Sequence, residues 1–165
     1  MTIDTRQADR RPLRFESLDD LKRDLDCIET ADAQGRLRHT GNYTPGQTMH
    51  HLARWAERYE TGDLPKRVPK PVAIYGRVFK GKFLNKGFPP GLPGPEGATQ
   101  TEPDVPFAEG LAYLRRKCDA LRTGNFAHRN PMFGRMTHAQ VVQLQLRHAE
   151  LHLSFLFPDA EPPAK

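Results

Sequence analysis

Three histidines occupy positions where their imidazole nitrogens could bind a metal ion. His148 and His152 are four residues apart in the segment RHAELHLSFLF, so on a helix their rings would point toward one spot. His51, in TPGQTMHHLARWAERY, lies on the apolar stripe of another predicted helix, and a rotation of about 100° per residue turns its neighbour His50 toward solvent. Buried imidazoles without partners are costly, and a metal satisfies their acceptor nitrogens. We therefore predict a metal site formed by His51, His148 and His152.

The chemistry expected of this site follows from its ligand type. Neutral imidazoles suit divalent Zn, Ni, Fe or Mn, and a three-histidine set leaves coordination positions open for water or substrate. An ion with an open position can lower the pKa of a bound water or bind a substrate thiolate. No catalytic side chain is identified, because Glu150 lies on the opposite side of its helix from both histidines.

Other side chains near these histidines have two possible roles. Trp55, Tyr59 and Gln145 share the inward stripes of the two predicted helices, where they could line a pocket or simply pack in the core. The remaining histidines are expected at the surface or in loops: His39, His50, His128 and His138.

Four amphipathic segments are predicted to be helices that position these residues. Each has apolar residues at spacings of three and four, the period of a helix with one buried face. Ser17, Thr44 and Thr137 each precede a helix and are followed three residues later by Asp or Gln, which is the pattern of a capping box. The predicted helices span about residues 17–33, 44–60, 104–123 and 137–157.

The connection between the second and third helices is long and rich in proline and glycine. Nine of the fifteen prolines lie between Pro65 and Pro106, so regular helix cannot continue through residues 63–103, although PVAIYGRVFKGKFL could form a short helix or a turn. Loops of this length are often lids or interface segments. The pattern predicts an all-α fold, a four-helix up-down-down-up bundle with one long crossover.

Length and composition limit the organisation of the chain. The 165 residues suit one helical domain over residues 15–158, with a flexible basic arm over residues 1–14 and a tail over 159–165. Cys27 and Cys118 lie on separate predicted helices without C-x-x-C spacing, which favours reduced thiols in a cytoplasmic protein. No apolar run approaches the roughly 18 residues of a membrane span, so no membrane partner is expected.

Two other classes of function are open on this sequence. The net charge is +5, and residues 64–86 contain seven basic residues and no acidic one, interleaved with Tyr75, Phe79 and Phe83. This stretch could bind nucleic acid or another anion through phosphate contacts, although a solvated loop is the simpler explanation. The second alternative is a metal-free bundle that acts as a dimerising scaffold.

Two motifs carry a resemblance to a known family. The segment NYTPGQTMHHLARW has Thr44 seven residues before a His-Leu pair, and NPMFGRMTHAQVVQLQLRHAELHL has a P-x-F-G entry followed by H-x-x-x-H-L. Both resemble the DinB/YfiT-like metalloenzyme superfamily, in a branch of unknown function. The resemblance implies a four-helix bundle with His51, His148 and His152 as metal ligands. It also implies a thiol-dependent transferase or a hydrolase, a small-molecule substrate such as a low-molecular-weight thiol, and a homodimer.

Overall fold

The computed structural model describes residues 3–64, 68–91, 102–126 and 129–158. This part of the chain is mostly helical, which confirms the all-α prediction. No helix within these ranges is both long enough and apolar enough to cross a membrane. The helices are α1 Leu18–Ala33, α2 Pro45–Thr61, α3 Lys70–Val78, α4 Lys80–Lys86, α5 Phe107–Thr123 and α6 His138–Leu153.

Three of these helices begin with the capping boxes that the sequence predicts. The hydroxyls of Ser17, Thr44 and Thr137 each accept a hydrogen bond from the backbone N–H three residues ahead. The side chain at that third position accepts in turn from the backbone N–H of the cap residue. Each box satisfies two N–H groups that a helix start otherwise leaves unpaired, which fixes where α1, α2 and α6 begin.

One apolar core lies between the four long helices. Helix α2 packs against α5 and α6, and α1 also packs against both. Their apolar stripes are buried because each helix presents one face inward at the helical period. The most fully buried apolar side chains are Leu25, Ile28, Ala31, Met49, Ala53, Tyr59, Cys118, Val141, Leu153 and Leu156.

The crossover contains two short helices. Helix α4 packs against α6 and buries Phe83 and Leu84 in the core. Helix α3 instead leaves Ile74 and Val78 60% and 70% exposed. The predicted long connection is therefore folded along residues 68–91, and it places α4 beside the helix that carries His148.

The last helix ends four residues before its predicted limit. Helix α6 stops at Leu153, and Leu156–Phe157 form strand β4, which pairs antiparallel with strand β1, Arg38–His39. The Ser154 carbonyl accepts from the Arg11 N–H, and the Phe155 carbonyl accepts from the Thr40 N–H. These partners from distant parts of the chain replace the helical hydrogen bonds beyond residue 153, and sequence periodicity does not contain them. A second strand pair joins β2 Arg129–Asn130 to β3 Gly134–Arg135.

The segment before α1 contacts the helices over its second half. Arg11 forms an ion pair with Asp24 of α1 at 2.8 Å, and its backbone N–H donates to the Ser154 carbonyl at 2.7 Å. Arg10 donates through Nε to the Ser154 hydroxyl, and Phe15 is buried in the core. Residues 10–15, which belong to the predicted arm and its junction, thus lie against α1 and the end of α6. The predicted tail, residues 159–165, lies outside the described residues.

Glycines let the end of the crossover approach α2 closely. A Cβ atom at Gly46 would lie 2.1 Å from the Val105 carbonyl oxygen, a distance that no side chain tolerates. A Cβ at Gly110 of α5 would lie 2.7 Å from the Gly46 carbonyl oxygen. The segment ahead of α5 therefore runs directly across the first turn of α2, which brings residue 102 within reach of the side chains of α2.

We expect Gly46→Ala to lower the free energy of unfolding by about 1–3 kcal/mol, because its methyl group would overlap a backbone oxygen that cannot rotate away. Gly81→Ala is the matched control: a Cβ there has nothing within 4 Å, so the substitution should be neutral or stabilise by up to about 1 kcal/mol. Urea denaturation of both variants checks this. Equal stabilities for the two would contradict the close approach.

Candidate metal centre

The three predicted histidines meet in the structure. His51 of α2 and His148 and His152 of α6 have ring centroids 4.5–5.0 Å apart in all three pairs. One ligand nitrogen from each ring lies within 4.8 Å of the others. The Nε2 atoms of His51 and His148 are 3.2 Å apart. Two imidazole nitrogens on one zinc ion, each about 2.0–2.1 Å from the metal at a tetrahedral angle, are separated by about 3.3–3.4 Å.

The separation of these two nitrogens therefore fits a shared metal ion. The ligand nitrogen of His152 lies within 4.8 Å of those of His51 and His148. His51, at an inward position of α2, is almost fully buried, and His148 and His152 are partly buried. The centre is thus most enclosed on the α2 side.

A buried carboxylate holds His51 from behind. Glu102 has no exposed side-chain surface, and its Oε1 accepts from His51 Nδ1 at 2.8 Å. Its Oε2 accepts from His50 Nδ1 at 3.2 Å, and Arg54 donates to Oε1. Because an ionised carboxylate can only accept a hydrogen bond, Nδ1 of His51 carries a proton, and Nε2 is the nitrogen directed at the centre. A carboxylate in this position fixes the tautomer of a metal-ligating histidine and raises its basicity.

Sequence patterns did not identify Glu102. It lies in the proline-rich crossover, where no periodicity indicates which side chains turn inward. Its backbone is held by Gln47, whose side-chain amide donates to the Glu102 carbonyl at 3.2 Å while its oxygen caps α2 at Thr44. The close approach at Gly46 completes this attachment. The sequence shows an acidic residue near the end of the crossover, but it does not show that this residue binds the side chains of α2.

His50 does not point freely into solvent as predicted. Its side chain is only 23% exposed, because the end of the crossover covers this side of α2 and supplies Glu102 as its partner. Its ring also lies 5.6 Å from the Tyr113 ring of α5. The helical rotation per residue correctly predicted that His51, and not His50, faces the other histidines. It did not predict that both rings bind the same carboxylate.

Aromatic side chains form the walls of the centre. The Tyr43 ring lies 5.3 Å from the His51 ring and 5.8 Å from the His152 ring. Trp55 lies 6.0 Å from His148, so of the two predicted roles it lines the site. Phe88, just after α4, lies 6.1 Å from His148. Three elements of the chain thus shield the imidazoles from water.

Two side chains that were candidates for the pocket are buried within the fold. Tyr59 is in the core, where its hydroxyl accepts from the Asn130 side-chain amide and burial raises its pKa. Gln145 is buried on α6. Glu150 accepts from the Phe15 N–H and pairs with Arg147, so it ties the start of α1 to α6 and takes no part in the centre, as its position on the helix predicts.

The other histidines lie elsewhere. His39 is exposed in strand β1. His138 opens α6, and its Nδ1 accepts from the Phe126 N–H at 3.1 Å. His128 lies outside the described residues. Across the ranges that the structure describes, His51, His148 and His152 make the one group of three or more potential ligands close enough to hold an ion.

The electrostatics keep His148 and His152 neutral and the Glu102 carboxylate ionised. Burial holds the pKa values of His148 and His152 well below the ordinary histidine value, and neighbouring imidazoles lower them further. Burial alone would raise the pKa of Glu102, but its hydrogen bonds with His51 and His50 and the charge of Arg54 outweigh it, so that pKa lies below its usual value. Neutral imidazoles and an ionised carboxylate are the protonation states that metal binding requires.

Removal of the buried carboxylate should weaken metal binding without removing a ligand. We expect Glu102→Gln to reduce Zn²⁺ affinity about 10–100-fold, because His51 would lose the charged acceptor that orients its ring. Competition with a chromophoric chelator measures the affinity. Asp104→Asn is the control, because it removes a nearby carboxylate for which no hydrogen bond to these histidines is present. An unchanged affinity in Glu102→Gln would contradict the supporting role.

Acidification should destabilise the metal-free protein over the histidine range. Since the folded-state pKa values of His148 and His152 lie below the unfolded value of about 6.5, their stabilising contribution is complete above that pH and is lost as the pH falls toward the folded values. With a chelator present, the free energy of unfolding should fall between pH 7 and 5 by up to about 1.4 kcal/mol per pH unit for each histidine. His152→Gln should flatten this slope in pH-dependent urea denaturation, whereas His39→Gln should leave it unchanged.

Comparisons with known proteins identify a family but no characterised relative. The model of the family described as Protein of unknown function (DUF1569) matches residues 7–159. Searches of curated proteins and of solved structures returned no significant match.

Proposed function

This chain belongs to the DUF1569 family, and we propose that it is a metal-dependent enzyme with His51, His148 and His152 as the ligands of one divalent ion. The proposal rests on two contacts that the two nitrogens of the His51 ring make on opposite sides. His51 Nε2 faces His148 Nε2 at 3.2 Å while His51 Nδ1 binds the buried Glu102 carboxylate at 2.8 Å. The carboxylate orients the ring so that Nε2 is directed at the other two imidazoles, which is the arrangement of a metal-ligating histidine.

The donor set supports Zn, Ni, Fe or Mn in the divalent state, because all three ligands are imidazoles. When bound, the ion supplies Lewis acidity at its open positions, toward a water molecule or a substrate thiol. The chain supplies the surroundings: Glu102 orients His51, while Tyr43 and Trp55 exclude water from the imidazoles. Burial raises the pKa of Tyr43, so its phenol stays protonated and can donate a hydrogen bond to a substrate.

This environment favours thiol transfer or hydrolysis of a small molecule. Both reactions need a nucleophile that loses its proton beside a cation, and both benefit from a site closed by aromatic side chains. We further propose that α1, α2, α5 and α6 form a four-helix bundle of the DinB/YfiT-like type. The resemblance of the two histidine motifs supports this assignment and the expectation of a homodimer.

The alternative function, nucleic-acid binding by residues 64–86, has weaker support. Tyr75, Arg77 and Phe79 are exposed on and after α3, as a stacking surface requires. The most exposed apolar side chains there are Ile74 and Val78, which are aliphatic and cannot stack on bases. A metal-free scaffold is the other alternative. It accounts for Glu102 as an anchor of the crossover on α2, but it gives no reason for three imidazoles to converge.

Metal analysis tests the proposed function directly. Protein purified without a nickel column should contain about one divalent ion per chain, as measured by inductively coupled plasma mass spectrometry. His148→Ala and His152→Ala should each lose most of that metal, because two imidazoles hold an ion far less tightly than three. A chelated sample should take up one equivalent of Zn²⁺ again.

The matched control is His39→Ala, since His39 is an exposed histidine of strand β1 and is not one of the three candidate ligands. It should retain the metal of the unmodified protein. Absence of stoichiometric metal, together with no tight uptake by the chelated protein, would overturn the proposal and favour the scaffold.

A further inference from the structure

A cavity of about 360 Å³ lies between the N-terminal segment, the end of α4 and α6. Four of its lining side chains are basic and one is acidic. We refer to it as the cationic cavity. Its walls are Arg10, Arg11, Pro12, Leu13, Lys86, Gly87, Phe88, Arg147, Glu150 and Leu151.

Two of the four basic groups in the cationic cavity are already neutralised. Arg11 pairs with Asp24 at 2.8 Å, and the buried Arg147 pairs with Glu150 at 2.7 Å. The guanidinium of Arg147 also donates to the Phe15 carbonyl. These two arginines therefore hold the N-terminal segment and α6 together, and they form the rigid base of the cavity.

The other two basic groups have no such partner. Arg10 donates through Nε to the Ser154 hydroxyl and lies over the Phe155 ring. Within the described ranges, no carboxylate forms an ion pair with Arg10 or with Lys86. Two positive charges thus face one cavity with no internal counterion, an arrangement that attracts an anion.

The cationic cavity and the metal centre share a wall. Phe88 lines the cavity, and its ring lies 6.1 Å from the His148 ring. Leu151 lines the cavity next to His152 in the chain. None of the three histidines lines the cavity, so Phe88 lies between the two sites and the cavity is a separate place on the molecule.

We propose that Arg10 and Lys86 bind a small anion in the cationic cavity, through its carboxylate or phosphate group. This site is separate from the three-histidine centre, so the proposal does not depend on metal binding there. Arginine and lysine are the side chains that recognise such oxyanions. The two residues bind the anion, and they leave metal binding itself to the histidines.

Binding of simple anions to the full-length protein tests the proposal. Inorganic phosphate and succinate are titrated by calorimetry at low salt into Zn²⁺-supplemented protein and into chelated protein. At least one probe should bind, and Arg10→Gln combined with Lys86→Gln should weaken that binding at least about 10-fold. The control Arg116→Gln removes one positive charge from α5, outside the cavity, and should bind within about 2-fold of the unmodified protein. The probe that binds more tightly distinguishes a phosphate from a carboxylate group.

Metal content is measured on the same samples, so that a failure of the anion-binding proposal can be distinguished from a failure of the proposed metal site. The double variant should keep about one ion per chain, because neither substituted residue is a ligand. Absence of binding by both probes overturns the cavity proposal, as does binding that the double variant leaves unchanged. A protein that binds the anion with the expected loss in the double variant, yet contains no metal and takes up none, overturns the proposed function and leaves an anion-binding cavity.

Discussion

The buried carboxylate of Glu102 imposes the strictest requirement on this structure. A carboxylate removed from water is stable as an anion only if donors and positive charge replace its hydration. His51, His50 and Arg54, all on α2, supply them. Satisfying Glu102 also commits one nitrogen of His51, and it leaves the other nitrogen directed at His148 and His152. The orientation of the candidate metal ligand is therefore a consequence of how the charge is buried.

This arrangement connects the long crossover to the helical core. Residue 102 can reach α2 only because Gly46 has no side chain and allows the Val105 carbonyl to approach. Gln47 then binds the Glu102 backbone with the same side chain that caps α2. The start of one helix thus serves three purposes: it ends the preceding loop, anchors the crossover and orients a histidine two turns from the cap.

The surroundings of the histidines differ in character from one side to the other. Aromatic rings from Tyr43, Trp55 and Phe88 shield the imidazoles, which strengthens electrostatic interactions there by excluding water. Beyond Phe88, Arg10 and Lys86 face a cavity without a counterion. The apolar metal centre and the positively charged cavity are therefore separate surfaces on the two sides of Phe88.

The amino-acid sequence by itself determined the helices and the choice of three histidines. Capping boxes and apolar periodicity are local patterns, so they located the starts of α1, α2 and α6 and distinguished His51 from His50. Only the tertiary structure decided the rest. Glu102, the early end of α6 at Leu153 and the partners of the N-terminal arginines all depend on contacts between residues far apart in the chain. No local pattern records such contacts, because they form only when loops without periodicity fold against the helices.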